Sequence, residues 1–435
     1  VTTMKNMPLP YCDPEEVGIS AAKLGSISNL ISKAIDDKMI PGAVTVIARK
    51  GKIVHAEAQG YKDMEAKSPL ALDSLFRMYS QTKPLVAALT MRLYEKGLIL
   101  LDMPITQFLP EFSNLIVNSI EYSEPSDHVR GCYAQMLETP ACRDITIRDL
   151  LTMSSGFSTH FPMVAASHQA TLEKVWRGTG FHPSDLLSDS INNPDRSYEE
   201  MVLAVSQLPL ASHPGRRWHY SADFDVLTLL LERATGSPID ELISKELLEP
   251  LGMLDSDFYC HPEKLDRLTT EYGWDTDGNM VVRDRPETSE KSINPDRKLM
   301  SGNGLFGGII STPGDYLRYA QMMLDNGIWK GNQLLGRKTV ELMTTDHIPD
   351  SEVDLFKVPG YGFGFGVGVR RTLAGVHMPG SVGEFGWGGA GGTSYFVDPS
   401  EELVGLFFTH VFCYQFHPLA DLYDQFQARA YQSLL

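Results

Sequence analysis

The spacing of apolar residues changes along this chain, and the changes divide it. Residues 13–40 carry Leu24, Ile27, Leu30, Ile31 and Ile35 at helical intervals behind a capping Ser20, which predicts a helix. Two runs rich in Val, Ile and Ala follow at 43–48 and 53–60. The polar turn Arg49-Lys50-Gly51-Lys52 between them predicts a β-hairpin. From about 75 to 315 the pattern is mostly helical: 85–96 closed by Gly97, a short helix opening at 147, then 223–234 and 239–248. Long polar stretches at 113–145 and 157–197 interrupt it, and loops of that length in a compact domain are functional covers or mobile segments. β-type runs return at 363–370, 393–397 and 404–408, with Asp398-Pro399-Ser400 as a turn, and 418–434 closes as a helix.

β-rich ends around a helical middle predict an α/β (α+β) fold. Both ends would build one antiparallel sheet flanked by helices, with the helical region inserted between its strands. The expected division is 1–75 with 316–435 as the sheet subdomain and 76–315 as the mostly helical one, with the active site between them.

Composition narrows the function. At 435 residues, 43% hydrophobic and 21% charged, the chain is an ordinary soluble globular one with no apolar run long enough to span a membrane. A net charge of −17 argues against nucleic acid and anionic membrane surfaces as partners. The scattered Cys12, Cys132, Cys142, Cys260 and Cys413 show no metal-ligand spacing, so buried free thiols in a reducing cytoplasm are expected. Residues 1–11 lack the apolar core of a signal peptide, although a leader already removed would leave the same start. No pattern in the chain speaks to oligomeric state.

The candidate chemistry begins at Ser80-Gln81-Thr82-Lys83. A serine and a lysine three apart share one side of a helix. A hydroxyl becomes a nucleophile when a neighbouring base takes its proton. The spacing alone is weak, because Ser20-Ala21-Ala22-Lys23 repeats it at an ordinary helix start. Pro84 puts Ser80 at or just before a helix N-terminus, where backbone N–H groups suit a developing oxyanion; a plain N-cap fits equally well. The second element is Pro214-Gly215 leading into Trp218-His219-Tyr220-Ser221-Ala222, which places Tyr220 in a loop between helices. Its phenol either projects into a cleft or packs against a backbone carbonyl. The third is the glycine-rich run from Gly383 to Gly392 with Trp387-Gly388-Gly389 at its centre. Such glycine density implies close backbone approach, and an exposed strand edge there would offer an N–H to an oxyanion.

Together these elements resemble the serine β-lactamase and penicillin-binding protein superfamily, closest to the class C β-lactamase-like esterases called family VIII carboxylesterases. The resemblance runs from about Ile40 to Thr409 and includes Pro41-Gly42-Ala43, the stretch from Thr146 to Gly156, Glu249-Pro250-Leu251-Gly252-Met253 and the stretch from Phe306 to Tyr316. It implies a β-lactamase/transpeptidase-like fold with Ser80 as nucleophile, Lys83 as its partner and Tyr220 as the motif tyrosine. It also implies an oxyanion hole from the Ser80 and Ala390 N–H groups. Trp387-Gly388-Gly389 matches the esterase version of a motif that lactamases write K-T-G. Ala222 stands where lactamases carry asparagine, so an amide that would hold a substrate side chain is missing. An indole in place of the lysine cation offers an apolar face instead of a carboxylate site. Both departures point to small or medium neutral esters as the substrate.

The expected enzyme is therefore a serine carboxylesterase that needs no metal or organic cofactor. Rivals of the same fold are an acyltransferase, an amidase or D-amino-acid peptidase, a weak β-lactamase and a catalytically silent binding protein. Tyr79 and Phe306 are expected to flank the cleft beside Trp387, Gly388 and Gly389, and Phe157, Phe161, Trp176 and Phe181 to line a pocket or pack under a cover. His160, His168, His182 and His213 read as solvated or hydrogen-bonded, and Arg148 and Asp149 as structural.

Overall fold

The computed structural model describes residues 7–122, 134–157, 197–275, 277–293, 308–348, 359–414 and 421–435. The chain forms two compact units, Val1–Glu95 with Asp240–Asp346 and Pro359–Leu435, and Lys96–Ile239 with His347–Val358.

The first unit is built on an eight-stranded sheet. Its strands are β1 (Gly42–Arg49), β2 (Lys52–Asp63), β3 (Ser68–Pro69), β4 (Tyr361–Phe363), β5 (Gly368–Arg370), β6 (Phe385–Gly389), β7 (Thr393–Asp398) and β8 (Leu403–Phe408). Their order is β4-β5-β6-β7-β8-β1-β2-β3, and every pairing is antiparallel. The join between the chain ends is the β1–β8 ladder, with Val44 opposite Phe408 and Val46 opposite Leu406. The expected sheet of two ends is thus the observed one.

Strand β1 is buried along nearly its whole length because helices cover both faces. Ala43, Ile47, Phe396 and Phe407 meet Ile27 and Ile31 of α1 (Ser26–Asp36) and Phe426 of the C-terminal helix Leu422–Gln432. On the opposite face, Tyr316 of helix Pro313–Leu324 sits edge-on to Tyr395 and Phe408. Glu384, just before β6, is buried and accepts from Arg370 (3.1 Å), Gln427 (2.9 Å), Tyr361 (3.1 Å) and Tyr431 (2.5 Å). Burial raises its carboxyl above the usual range.

In the second unit, helix Asp223–Thr235 turns Val226, Leu227 and Leu230 inward and ends at Gly236 with φ +70°. The short helix Ile147–Leu151 opens with a capping box. Thr146 Oγ1 accepts from the Asp149 N–H (3.2 Å) while the Asp149 carboxylate accepts from the Thr146 N–H (2.8 Å) and from Arg143 (2.9 Å). Asp149 is structural, as expected, and Arg148 pairs with Asp102. His213 accepts from the Cys142 N–H.

Several sequence expectations need correcting. Residues 13–40 are not one helix: Gly18 in the left-handed region (φ +74°) separates a 3-10 turn at Pro14–Val17 from the helices Ala21–Leu24 and Ser26–Asp36. The stretch 113–145 holds a β-hairpin, Ile116–Tyr122 against Ala134–Pro140. Asn118, Ser119, Glu138 and Thr139 interrupt the apolar positions of its strands, so no strand signal stood out in the sequence. The run 363–370 is two strands, split by a turn at Gly366 (φ +73°). Cys12, Cys142, Cys260 and Cys413 are free thiols, and Cys142 is exposed rather than buried; Cys132 lies outside the described residues. Among the described residues no helix is long and apolar enough to cross a membrane.

Candidate active site

Ser80 and Lys83 meet. Lys83 Nζ donates to Ser80 Oγ at 3.2 Å, with Ser80 8% and Lys83 1% exposed. A single 3-10 turn, Tyr79–Thr82, runs directly into the helix Lys83–Glu95. Residues three apart eclipse one another in such a turn, which is why the two side chains stack. Pro84 occupies an early helical position where its missing N–H costs nothing. Met78 holds the cap position of this 3-10 turn, so Ser80 lies within the turn.

The turn is pinned from several directions. Phe76–Arg77 pairs with Ile310–Ser311, and the Met78 N–H reaches the Ile309 carbonyl at 2.9 Å. Thr82 Oγ1 accepts from the Ile309 N–H at 2.9 Å. The buried Arg77 donates to Thr269 O (2.6 Å), Ser292 Oγ (2.7 Å) and Asp284 (2.8 Å). Tyr316 and Tyr319 donate their hydroxyls to the carbonyls of Gln81 (2.9 Å) and Pro84 (3.1 Å). Tyr79 has φ +45°, a conformation that costs a non-glycine residue roughly 1–2 kcal/mol. Its side chain is fully enclosed, so the structure turns it inward rather than offering it to a cleft.

The tryptophan-glycine motif is β6. Its ladder to β7 is complete, from Phe385 opposite Val397 to Gly389 opposite Thr393. Its ladder to β5 covers only Val369 opposite Phe385 and Gly368 opposite Gly386. The strand therefore lies inside the sheet, but Trp387–Gly388–Gly389 runs on past the last β5 partner. The glycines serve close approach to the turn that carries Ser80. A Cβ on Gly389 would lie 2.0 Å from the Met78 carbonyl oxygen, and one on Gly391 would lie 2.4 Å from that of Arg77. Ala390, 6% exposed, follows directly, and its carbonyl accepts from the Cys413 N–H at 2.5 Å. Trp387 is half-buried, with its ring edge-on to Phe363 at 5.1 Å. Within this unit the structure thus brings Ser80, Lys83, Gly389 and Ala390 into one neighbourhood. Phe306 lies outside the described residues, as do His160, Phe161, His168, Trp176, Phe181 and His182.

Tyr220 belongs to the second unit. It is buried in the loop that enters helix Asp223–Thr235, with its ring 6.2 Å from that of Trp218. The loop is held by the turn Met153-Ser154-Ser155-Gly156. The His219 N–H reaches Met153 O (2.9 Å), the Gly215 N–H reaches Ser154 O (2.7 Å), and the Ala211 N–H reaches Gly156 O (2.7 Å). Met153 and Gly156 both have positive φ, and a Cβ on Gly156 would strike Ser212 O at 2.1 Å. Asp223 is fully buried, accepting from Ser221 Oγ and from the Ser155 N–H at 3.4 Å. Burial pushes its carboxyl up to about 7 against those hydrogen bonds. The sequence reading missed Asp223 as a support of this loop. An acidic residue three positions after the motif tyrosine, at the first position of a helix, is a visible signal for it.

A Beta-lactamase family model matches residues 27–428 of the chain. Esterase EstB from Burkholderia gladioli is 30% identical over 409 residues, which is 92% of this chain and 93% of its own. The solved structure of EstCE1, a hydrolase with promiscuous acyltransferase activity, has a TM-score of 0.74 at 24% identity, covering 94% of this chain and 99% of that one. Unliganded simvastatin synthase LovD from Aspergillus terreus has a TM-score of 0.72 at 23% identity, covering 95% and 98%. These two are likenesses of fold. Because the family match spans the sheet, the Ser80 turn and the Tyr220 loop alike, this chain belongs to the β-lactamase family.

Proposed function

We propose that this protein is a serine carboxylesterase that hydrolyses small to medium neutral esters through an acyl-enzyme on Ser80. The observation that carries the reading is the buried contact of Lys83 Nζ with Ser80 Oγ at 3.2 Å, on a turn that abuts Gly389. Tyr220 joins the site by its place in the motif rather than by a measured distance. In this reading Ser80 Oγ attacks the ester carbonyl and its proton passes to the Lys83/Tyr220 pair. The Ser80 and Ala390 N–H groups hold the oxyanion. The C–O bond to the alcohol breaks, the alcohol takes the proton from Tyr220, and water releases the acid by the reverse steps.

Esters are favoured over β-lactams by Trp387, where a lysine would hold a lactam carboxylate, and by Ala222, where an asparagine would stand. The esterase name of EstB supports the same choice. Acyl transfer is the second reading, supported by the two activities named for EstCE1. A phosphonate ester probe followed by peptide mapping tests the nucleophile: label on Ser80 in wild type and none in Ser80→Ala is expected, and label retained in the variant overturns the assignment. Hydrolysis in the presence of a competing alcohol separates the two readings, since a transferase diverts most of the acyl group into the new ester.

A further inference from the structure

The residue before the nucleophile is held in a way that simple filling of space does not require. Tyr79 has φ +45°, where side chains other than glycine are rare. Its ring is edge-on to Phe412, with centroids 5.5 Å apart, and its hydroxyl donates to Glu271 Oε1 at 2.5 Å. Glu271 is 2% exposed. Gly391 leaves room for the ring, since a Cβ there would come 3.1 Å from Tyr79 Cδ2. A phenylalanine would fill the same volume without a buried carboxylate, an expensive group to enclose. Glu271 begins the hairpin Glu271–Trp274/Met280–Asp284, whose other end supplies Asp284 to Arg77. One hairpin therefore grips the chain on both sides of Met78, through Arg77 and through Tyr79, just ahead of Ser80.

We propose that Tyr79 and Glu271 are positioning residues, whose hydrogen bond locks the left-handed turn that aims Ser80 Oγ at the carbonyl to be attacked. Neither residue touches substrate. Their effect reaches the reaction through the backbone of Ser80, because a change in φ at Tyr79 swings the serine relative to Lys83 and to the Gly389–Ala390 strand. The proposal rests on Ser80 as nucleophile.

The test compares Tyr79→Phe, Glu271→Ala, Glu271→Gln and the double variant Tyr79→Phe/Glu271→Ala. The readouts are the rate of Ser80 labelling by a phosphonate ester, kcat and KM on a p-nitrophenyl ester, and Tm. Tyr79→Phe and Glu271→Ala should each slow labelling and kcat about ten- to a hundredfold with KM and Tm nearly unchanged. The double variant should be no slower than either single one, and Glu271→Gln, which keeps an acceptor oxygen, should recover most of the rate. Wild-type labelling and kcat in Tyr79→Phe overturn the proposal, as does a loss that follows Tm alone. If Glu271→Ala does not fold, Tyr79→Phe and Glu271→Gln carry the test. Absence of label on Ser80 in wild type is a separate result, which overturns the nucleophile reading and this one with it.

Discussion

The tetrads Ser20–Lys23 and Ser80–Lys83 carry a serine and a lysine at the same spacing, and the fold treats them oppositely. Ser20 caps a short helix, its Oγ accepting from the Lys23 backbone N–H at 3.4 Å, while the Lys23 side chain stands in solvent. At the second tetrad both side chains are buried and the amine itself reaches the hydroxyl. The difference lies outside the tetrads. Ser20 is tied to its surroundings chiefly by its backbone N–H on Ser433 O. The Ser80 turn is fastened to Thr269, Asp284, Ser292 and Ile309–Ser311, to two buried tyrosines and to Gly389 and Gly391. A buried serine–lysine contact is made by what encloses it, because enclosure removes the water that would otherwise solvate the amine and hydroxyl separately.

The comparison breaks if the two serines prove alike. Ser80→Ala should lower ester turnover by about ten-thousandfold or more, with initial rates as the measure, while Ser20→Ala leaves turnover unchanged. Next in size, Lys83→Ala and Tyr220→Phe should each lower kcat by about a hundred- to ten-thousandfold with the fold intact by circular dichroism, while Lys23→Ala does nothing. Near-normal rates in Lys83→Ala or Tyr220→Phe remove that residue from the relay.

Enclosure itself is tested at Gly389. Gly389→Ala places a methyl against the Met78 carbonyl, a backbone atom that cannot swing away. It should cost about 1–3 kcal/mol in urea unfolding, together with a fall in kcat. In the second unit, the Asp223 carboxyl sits at about 7 against an ordinary 3.8. Between roughly pH 4 and 7 the folded state therefore holds a proton that the unfolded chain has lost. Stability falls as pH rises through that window, by at most roughly 1.4 kcal/mol per unit, and levels off above it. Asp223→Asn should flatten this slope in unfolding curves taken at about pH 5 and pH 8. The smallest effect belongs to the first tetrad: Ser20→Ala should lower stability by only about 0.5–1 kcal/mol, seen as a small shift of the urea midpoint.

Much of the sheet was legible because strand and turn signals are local. Arg49-Lys50-Gly51-Lys52 announces the β1–β2 hairpin, and Asp398 marks the β7–β8 turn by accepting from the Ser400 and Glu401 N–H groups. The Ser80–Lys83 contact was legible only in company, since its spacing recurs at Ser20. The partner of Tyr79 was not legible. Glu271 is 192 residues from Tyr79, and nothing near either residue announces the other. Gly389 and Gly391 signalled close approach without naming the partner, which proved to be the backbone of Met78 and Arg77. The hairpin of residues 116–140 escaped because polar residues such as Asn118, Ser119, Glu138 and Thr139 break up the apolar positions of both strands.

The β1–β8 ladder has a consequence for how the chain is made. Gly42 O accepts from Thr409 Oγ1 across 367 positions of sequence, and Gly389 and Gly391, which abut Met78 and Arg77, are comparably far along the chain from them. During synthesis Ser80 and Lys83 leave the ribosome long before any of these partners exists. Pairings that distant form slowly, so a growing chain carries its tetrad as an ordinary exposed segment. The enclosure around Ser80 closes only once the residues up to Thr409 are present, and a product truncated before Gly389 would carry the serine and lysine without it.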